Sequence, residues 1–169
     1  PWPLAEGGIG TTPRLGDPLT AWTTLALAAA GLAITFPAGL WNIGVEGQVI
    51  AGAIAASFVA REIAAPTPVM IILTLVAGFI GGAAWALLAG LLKVKGKVNE
   101  IFGGLGLTFV AISLSTYLII GPWQREGIAS TSGTDPFPDD AWLPTLGDLR
   151  VSLVSIVVAV LALIAVYVL

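Results

Sequence analysis

Ten acidic and seven basic side chains supply nearly all the ionisable chemistry in this 169-residue sequence, which has neither histidine nor cysteine. That absence removes imidazole bases, thiol nucleophiles, disulfides and nitrogen or sulfur metal ligands together. Carboxylates and amides remain. Two carboxylates sit in polar interruptions of otherwise apolar sequence: Glu46 in LWNIGVEGQ (residues 40–48) and Glu100 in KVKGKVNE (residues 93–100). The amides Asn42, Gln48 and Asn99 accompany them. A charge at membrane depth costs at least about 2.5 kcal/mol, so it faces a cavity, water or a partner. Asn42, Glu46, Gln48, Asn99 and Glu100 are therefore the candidate site. They form either a substrate pathway or a structural motif. In the structural reading, Glu46 accepts from backbone amides near Gly44 or Gly47, and Glu100 pairs with Lys97 or Lys93.

Other chemistry is excluded by pattern. No G-x-x-x-x-G-K-[ST] loop occurs to cradle nucleotide phosphates, and no G-x-S-x-G elbow or metal-ligand cluster occurs. No catalytic residue, cofactor or metal is expected. A net charge of −3 gives no electrostatic case for nucleic acid.

The elements that must position these groups follow from where charge is missing. The sequence is 57% hydrophobic and 10% charged, against roughly 25% charged residues in soluble domains. No Asp, Glu, Lys or Arg lies between Asp17 and Glu46, between Glu62 and Lys93, between Glu100 and Arg125, or after Arg150. Each gap can cross a hydrocarbon core as a helix, which takes about 20 apolar residues. The expected fold is all-α, a polytopic transmembrane helix bundle with about five membrane segments centred near Ala28, Ala53, Phe79, Val110 and Val160.

Residues 1–18 read as an exposed, Gly/Pro-rich lead-in, with the first span over 19–36. Pro37, Gly39, Gly44 and Gly47 predict a helix break over 37–47. The second apolar run, 49–60, reaches spanning length only if residues 42–48 form its first turns. Residues 61–68 read as a loop because Ala65-Pro66 and Thr67-Pro68 disfavour helix. The third span, 69–92, carries Gly78 and Gly82 at the small-xxx-small spacing that lets helices approach closely. Gly103, Gly104 and Gly106 early in the fourth span, 101–120, predict a bend or close packing. Residues 121–150 read as a long acidic connection holding Asp135, Asp139, Asp140 and Asp148, and the last span starts near Val151. The dense cluster of Lys93, Lys95 and Lys97 predicts a cytoplasmic loop, with the Arg61 loop and residues 121–150 external. Trp22, Trp41, Trp85 and Trp123 are interfacial anchors, Trp85 alternatively a packing residue.

Three stretches together carry a resemblance: GLWNIGVEGQVIAG (residues 39–52), GLLKVKGKVNEIFGGLGL (90–107) and YLIIGPW (117–123). In their order and separations they resemble permease subunits of ATP-binding-cassette importers of the nucleoside and simple-sugar type, in the branched-chain amino acid/ribose permease superfamily. Two departures concern the absence of a proline around Ala28–Ala30 and Thr108 where many members have Asn. The resemblance implies a multi-pass subunit of a bacterial-type inner membrane that is not itself an enzyme. Its implied partners are the lipid bilayer, a second permease subunit, an ATP-binding subunit that hydrolyses ATP, an external solute-binding lipoprotein and a small polar solute. It also implies that residues 1–169 are a partial permease domain, an internal fragment lacking an amino-terminal helix and carboxy-terminal helices. An ion-coupled secondary transporter and a non-transport membrane scaffold are the alternatives.

Overall fold

A chain crossing lipid must satisfy its own backbone, and helices do so within one segment. The computed structural model describes residues 12–125, 127, 133–147 and 149–168. Among them are five α-helices: α1 (Thr12–Thr35), α2 (Val45–Glu62), α3 (Thr67–Val94), α4 (Glu100–Ile120) and α5 (Leu153–Val168). The all-α polytopic expectation holds. Residues 15–35 of α1, together with α3 and α4, are long and apolar enough to cross a membrane. α2 has 18 residues but carries Glu46, Arg61 and Glu62, and α5 has 16. Large apolar side chains of α3 and α4 face outward: Phe79 is 78% exposed and Phe102 73%. Such helices are stable where lipid, not water, covers them.

Helix starts depart from the sequence reading at two prolines. α1 begins at Thr12 and runs through Pro18 rather than starting after it. Pro18 forgoes one helical hydrogen bond without ending the helix, as membrane helices tolerate. α3 begins at Thr67, with Pro66 as its cap and Pro68 in its first turn. There proline's fixed φ favours helix, so the Thr67-Pro68 pair opens α3 instead of preventing it. The connection shrinks accordingly to residues 63–66. The lead-in expected over residues 1–11 lies outside the described residues, as do Asp148 and Glu126.

The predicted break is present. α1 ends at Thr35, Gly39 takes φ +72°, and the Leu40 N–H returns to the Thr35 carbonyl at 3.0 Å. Only glycine reaches that left-handed conformation without strain.

Two compact units are formed, residues 1–40 with 143–169 and residues 41–142. In the first, α1 packs on α5 through small residues: Thr23, Ala26, Ala30 and Ala159 are buried. A two-stranded antiparallel ribbon of β1 (Thr145–Leu146) and β2 (Leu149–Ser152) turns at Gly147, φ +52°. Residues 149–152 therefore belong to a strand, and α5 starts at Leu153 rather than near Val151. The Ser152 hydroxyl caps it by accepting from the Val154 N–H at 3.1 Å.

In the second unit α2 lies against both α3 and α4. Gly82 approaches Gln48 while Gly78 approaches Gly52 and Ala56, so α2 and α3 are antiparallel. Gly44 meets Gly104 and Gly47 meets Thr108, so α2 and α4 run the same way. The Gly78/Gly82 spacing thus serves close helix approach. A Cβ on Gly52 would sit 2.8 Å from the Gly78 carbonyl oxygen, and one on Gly81 2.6 Å from the Ala55 Cβ. α4 is uninterrupted, and of its glycines Gly104 provides the close packing, whereas a Cβ on Gly106 would meet nothing within 4 Å.

Gly52→Val is expected to destabilise the full-length protein in detergent by about 1–3 kcal/mol through overpacking. Gly90→Ala, where an added Cβ meets nothing within 4 Å, should leave the thermal midpoint unchanged or slightly raised. Fluorescence-detected thermal melts of both variants check the pair.

Candidate functional site

Residues 41–48 fold around one reciprocal amide pair. Asn42 Nδ2 donates to Gln48 Oε1 at 3.1 Å, and Gln48 Nε2 donates to Asn42 Oδ1 at 2.9 Å. The pair closes the extended segment onto the first turn of α2, whose cap is Gly44. The Ile43 N–H donates to the Trp41 carbonyl at 2.9 Å, tightening the same turn.

The turn is then pressed on α4, backbone to backbone. A Cβ on Gly104 would lie 2.8 Å from the Gly44 nitrogen, and one on Gly47 would lie 3.0 Å from the Thr108 Cα. Thr108 is buried there and donates its hydroxyl to the Gly104 carbonyl at 3.1 Å. The Trp85 indole nitrogen is buried beside Gly47 without a hydrogen-bond partner among the described residues. Trp85 is thus a packing residue, the second of its two expected roles.

At the same end of the unit, Asn99 caps α4 by accepting from the Ile101 N–H at 2.9 Å. Glu100 pairs with Lys93 at 3.1 Å, each about one-third exposed, and the Trp41 backbone N–H is directed at the same carboxylate. Of the two lysines considered for Glu100, Lys93 makes the bridge. Lys97 instead takes φ +51° in the turn between α3 and α4. The Trp41–Glu100 contact and the Gly44–Gly104 approach place the Asn42–Gln48 pair at the same end of the unit as Asn99 and Glu100.

Glu46 departs from expectation in one respect. It stands in the first turn of α2, as predicted. Its side chain is exposed and makes no hydrogen bond to a backbone amide or a polar side chain among the described residues. The glycines beside it serve packing instead: buried Gly44 and Gly47 face α4.

A second polar centre, missed from sequence, lies at the other end of α2. Arg61 was assigned to a loop, but it belongs to the last turn of α2. Its Nη1 donates to the Asp135 carbonyl at 3.0 Å and its Nη2 to Thr134 Oγ1 at 2.9 Å. The guanidinium lies over Trp123 at 5.3 Å and Phe137 at 4.6 Å from the ring centroids, a favourable cation–π arrangement. Trp123 therefore holds an arginine besides any role at an interface. A lone arginine between two apolar helices, followed by an aromatic-rich connection, was the available signal. Among the described residues no group of three or more acidic side chains could hold a metal ion.

Residues 15–169 match the family described as branched-chain amino acid transport system / permease component. The chain belongs to that family. Among its relatives, the glucose ABC transporter permease protein TsgB13 of Haloferax volcanii is 40% identical over 167 residues, covering 86% of this chain and 44% of that protein. The guanosine ABC transporter permease protein NupP of Bacillus subtilis is 29% identical over 116 residues, covering 69% of this chain and 33% of the relative. The nucleoside ABC transporter permease protein NupB of Lactococcus lactis is 25% identical over 169 residues, covering 95% and 46%. This permease-family chain thus spans less than half the length of these relatives. No solved structure matches it.

The amide pair is testable as a coupling. In the full-length permease, a double-mutant cycle of Asn42→Ala and Gln48→Ala should return an interaction energy on the order of 1 kcal/mol or more. Additive effects in an SDS-titration unfolding assay would show that the pair does not hold the turn.

Proposed function

We propose that this chain supplies membrane-spanning segments of the permease subunit of an ATP-driven importer for nucleosides or simple sugars. The observation that carries this reading is the conjunction of family membership with one polar layer. In that layer Asn42, Gln48, Asn99 and Glu100, the motif residues of two separate stretches, are drawn together by the Gly44–Gly104 contact. The names of the three relatives, two nucleoside-type permeases and one glucose permease, support the solute class.

On this reading the chain is part of a permease domain and works with a second permease subunit, an ATP-hydrolysing subunit and an external solute-binding lipoprotein. It does not hydrolyse ATP itself, since its sequence has no phosphate-cradling loop. The layer of Lys93, Lys95, Lys97 and Glu100 faces the cytoplasm, and the connection over residues 121–150 faces outside. The density of lysines against a span end supports that orientation.

Glu46 receives a role by elimination of its local partners. An exposed carboxylate without a hydrogen bond inside the chain is too costly against lipid. It faces water or another subunit, on the solute pathway or beside it. The helix start contributes a favourable field of about 0.3–1 kcal/mol, too little by itself to offset burial in lipid.

Uptake of tritiated glucose and tritiated guanosine into proteoliposomes holding the complete importer tests the reading. ATP-dependent accumulation of at least one solute is expected, and its absence for both would sink the solute class. Glu46→Gln should assemble with an unchanged thermal midpoint and transport more slowly; wild-type uptake would remove Glu46 from the pathway. Lys95→Cys, at an exposed position, should resist an impermeant maleimide on intact cells while Asp139→Cys is labelled. The reverse pattern overturns the orientation.

A further inference from the structure

Hydroxyl groups inside apolar helices normally bond to a carbonyl one turn back, which hides them from lipid. Here Thr74, Thr108, Ser113 and Thr116 all do so. So do Thr20, Thr23, Thr24 and Thr35 of α1 and Ser155 of α5, while Thr67 bonds Asp140. Two of the helical serines do not. Ser57 in α2 and Ser115 in α4 make no hydrogen bond among the described residues.

Both of these serines line one cavity of about 240 Å³ in the second unit. At about 30 Å³ per molecule, that volume corresponds to about eight waters. Arg61, Trp123, Thr134 and Phe137 line the same cavity. Arg61 brings a third unpartnered group, since its Nε is buried with no hydrogen-bond partner. Its two terminal nitrogens are already held by Asp135 and Thr134, and its faces by the two aromatic rings. The guanidinium is thereby fixed in place and largely spent, so the cavity does not present a free cation to an anion.

The geometry points to this cavity as a binding site for a neutral polyhydroxy ring, the sugar of a simple saccharide or the ribosyl part of a nucleoside. Ser57 and Ser115 supply hydroxyls that both donate and accept, as ring hydroxyls require. The wall between them is apolar, built from Ile50, Ala53 and Ile54 with the two aromatics, and suits the C–H face of a ring. Small, mostly apolar clefts with a few placed polar groups are what solute sites look like. The site stands apart from the Asn42–Glu100 layer. Ser57 lies eleven residues beyond Glu46 along α2, roughly 16 Å at 1.5 Å per residue. On the orientation given above, the cavity opens toward the outer connection. It would take solute before the inner polar layer does, and in this it rests on the proposed transport function.

Equilibrium binding to the full-length permease in lipid nanodiscs, without its partner subunits, tests the cavity separately from transport. Tritiated D-glucose and tritiated uridine are the probes. Saturable binding of one or both is expected. Mutual competition assigns the shared ring chemistry to the site, and binding of only one probe names its source. The double substitution Ser57→Ala with Ser115→Ala should weaken binding about tenfold, the loss of two neutral hydrogen bonds. Ser57→Phe, which fills the cavity, should abolish it. Ser113→Ala, whose hydroxyl serves only the Phe109 carbonyl, should leave it unchanged. No saturable binding of either probe, or binding indifferent to both Ser57 variants, overturns the proposal. Should Ser57→Phe not fold, the double alanine variant decides alone. ATP-driven uptake that persists unaltered in the double variant would retain the transport function and discard the site; failed uptake with intact, serine-dependent binding would do the opposite.

Discussion

Backbone-to-backbone contact at glycine is the constraint on which residues 41–142 depend. In lipid, apolar side chains gain nothing by leaving one apolar environment for another, so helix association relies on close van der Waals fit. α2 meets this requirement on two sides. Gly52, Gly78, Gly81 and Gly82 let it approach α3, and Gly44, Gly47 and Gly104 let it approach α4. Much of the remaining surface is bulky and exposed, and Met70 is the one large side chain fully buried in this unit among the described residues. Tight small-residue seams with apolar exteriors are the packing solution available when the surroundings are as apolar as the core.

Those seams decide where polar groups can go. Because α2 and α4 run in the same direction, their starts share one end of the unit and their ends share the other. Asn42, Gln48, Lys93, Asn99 and Glu100 gather at the first end, while Ser57, Arg61, Ser115 and Thr134 gather at the second. Between the two, Thr108 satisfies itself on Gly104 and Trp85 keeps an unpartnered indole N–H. The buried indole nitrogen lies beside Gly47, where an added Cβ would come within 3.2 Å of it. Losing a hydrogen bond there costs about 1–3 kcal/mol, which the fit of three elements at one point must offset.

Much of this was legible in the sequence, and the remainder failed for identifiable reasons. Charge-free runs located four of the five described helices and the short apolar run 49–60 the other, while Pro37 with Gly39 located the break, because charge and proline act locally. Pro66 and Pro68 misled at the start of α3, since proline suits a helix's first turn, and Pro18 at the start of α1, since a membrane helix can carry proline in its interior. The β1–β2 ribbon carried no strong alternation to announce it. The Lys93–Glu100 pair was among the expected options because both ends of a short turn are visible together. The Arg61 centre was not, because its partners Thr134 and Asp135 lie more than seventy residues away in sequence. The expected support for Glu46 failed for a related reason: the glycines beside it were read as amide donors, whereas their missing side chains are what α4 requires.

Arg61 links these observations into one argument about the outer connection. A guanidinium in the last turn of an apolar helix needs partners, and the protein finds them in the connection after α4 rather than in α3, its immediate neighbour in sequence. Thr134 and Asp135 hold its donors, Trp123 and Phe137 cover its faces, and Arg125 reaches Asp135 at 3.7 Å. The Gln124–Thr134 bridge closes the connection on itself at the same place. The described part of this connection is therefore anchored to α2 by one side chain. Any displacement of residues 133–137 must either carry the end of α2 along or strip the guanidinium of two hydrogen bonds and two aromatic contacts. Residues 134–137 and the end of α2 are consequently joined through Arg61, and Arg61, Thr134 and Phe137 all wall the same cavity.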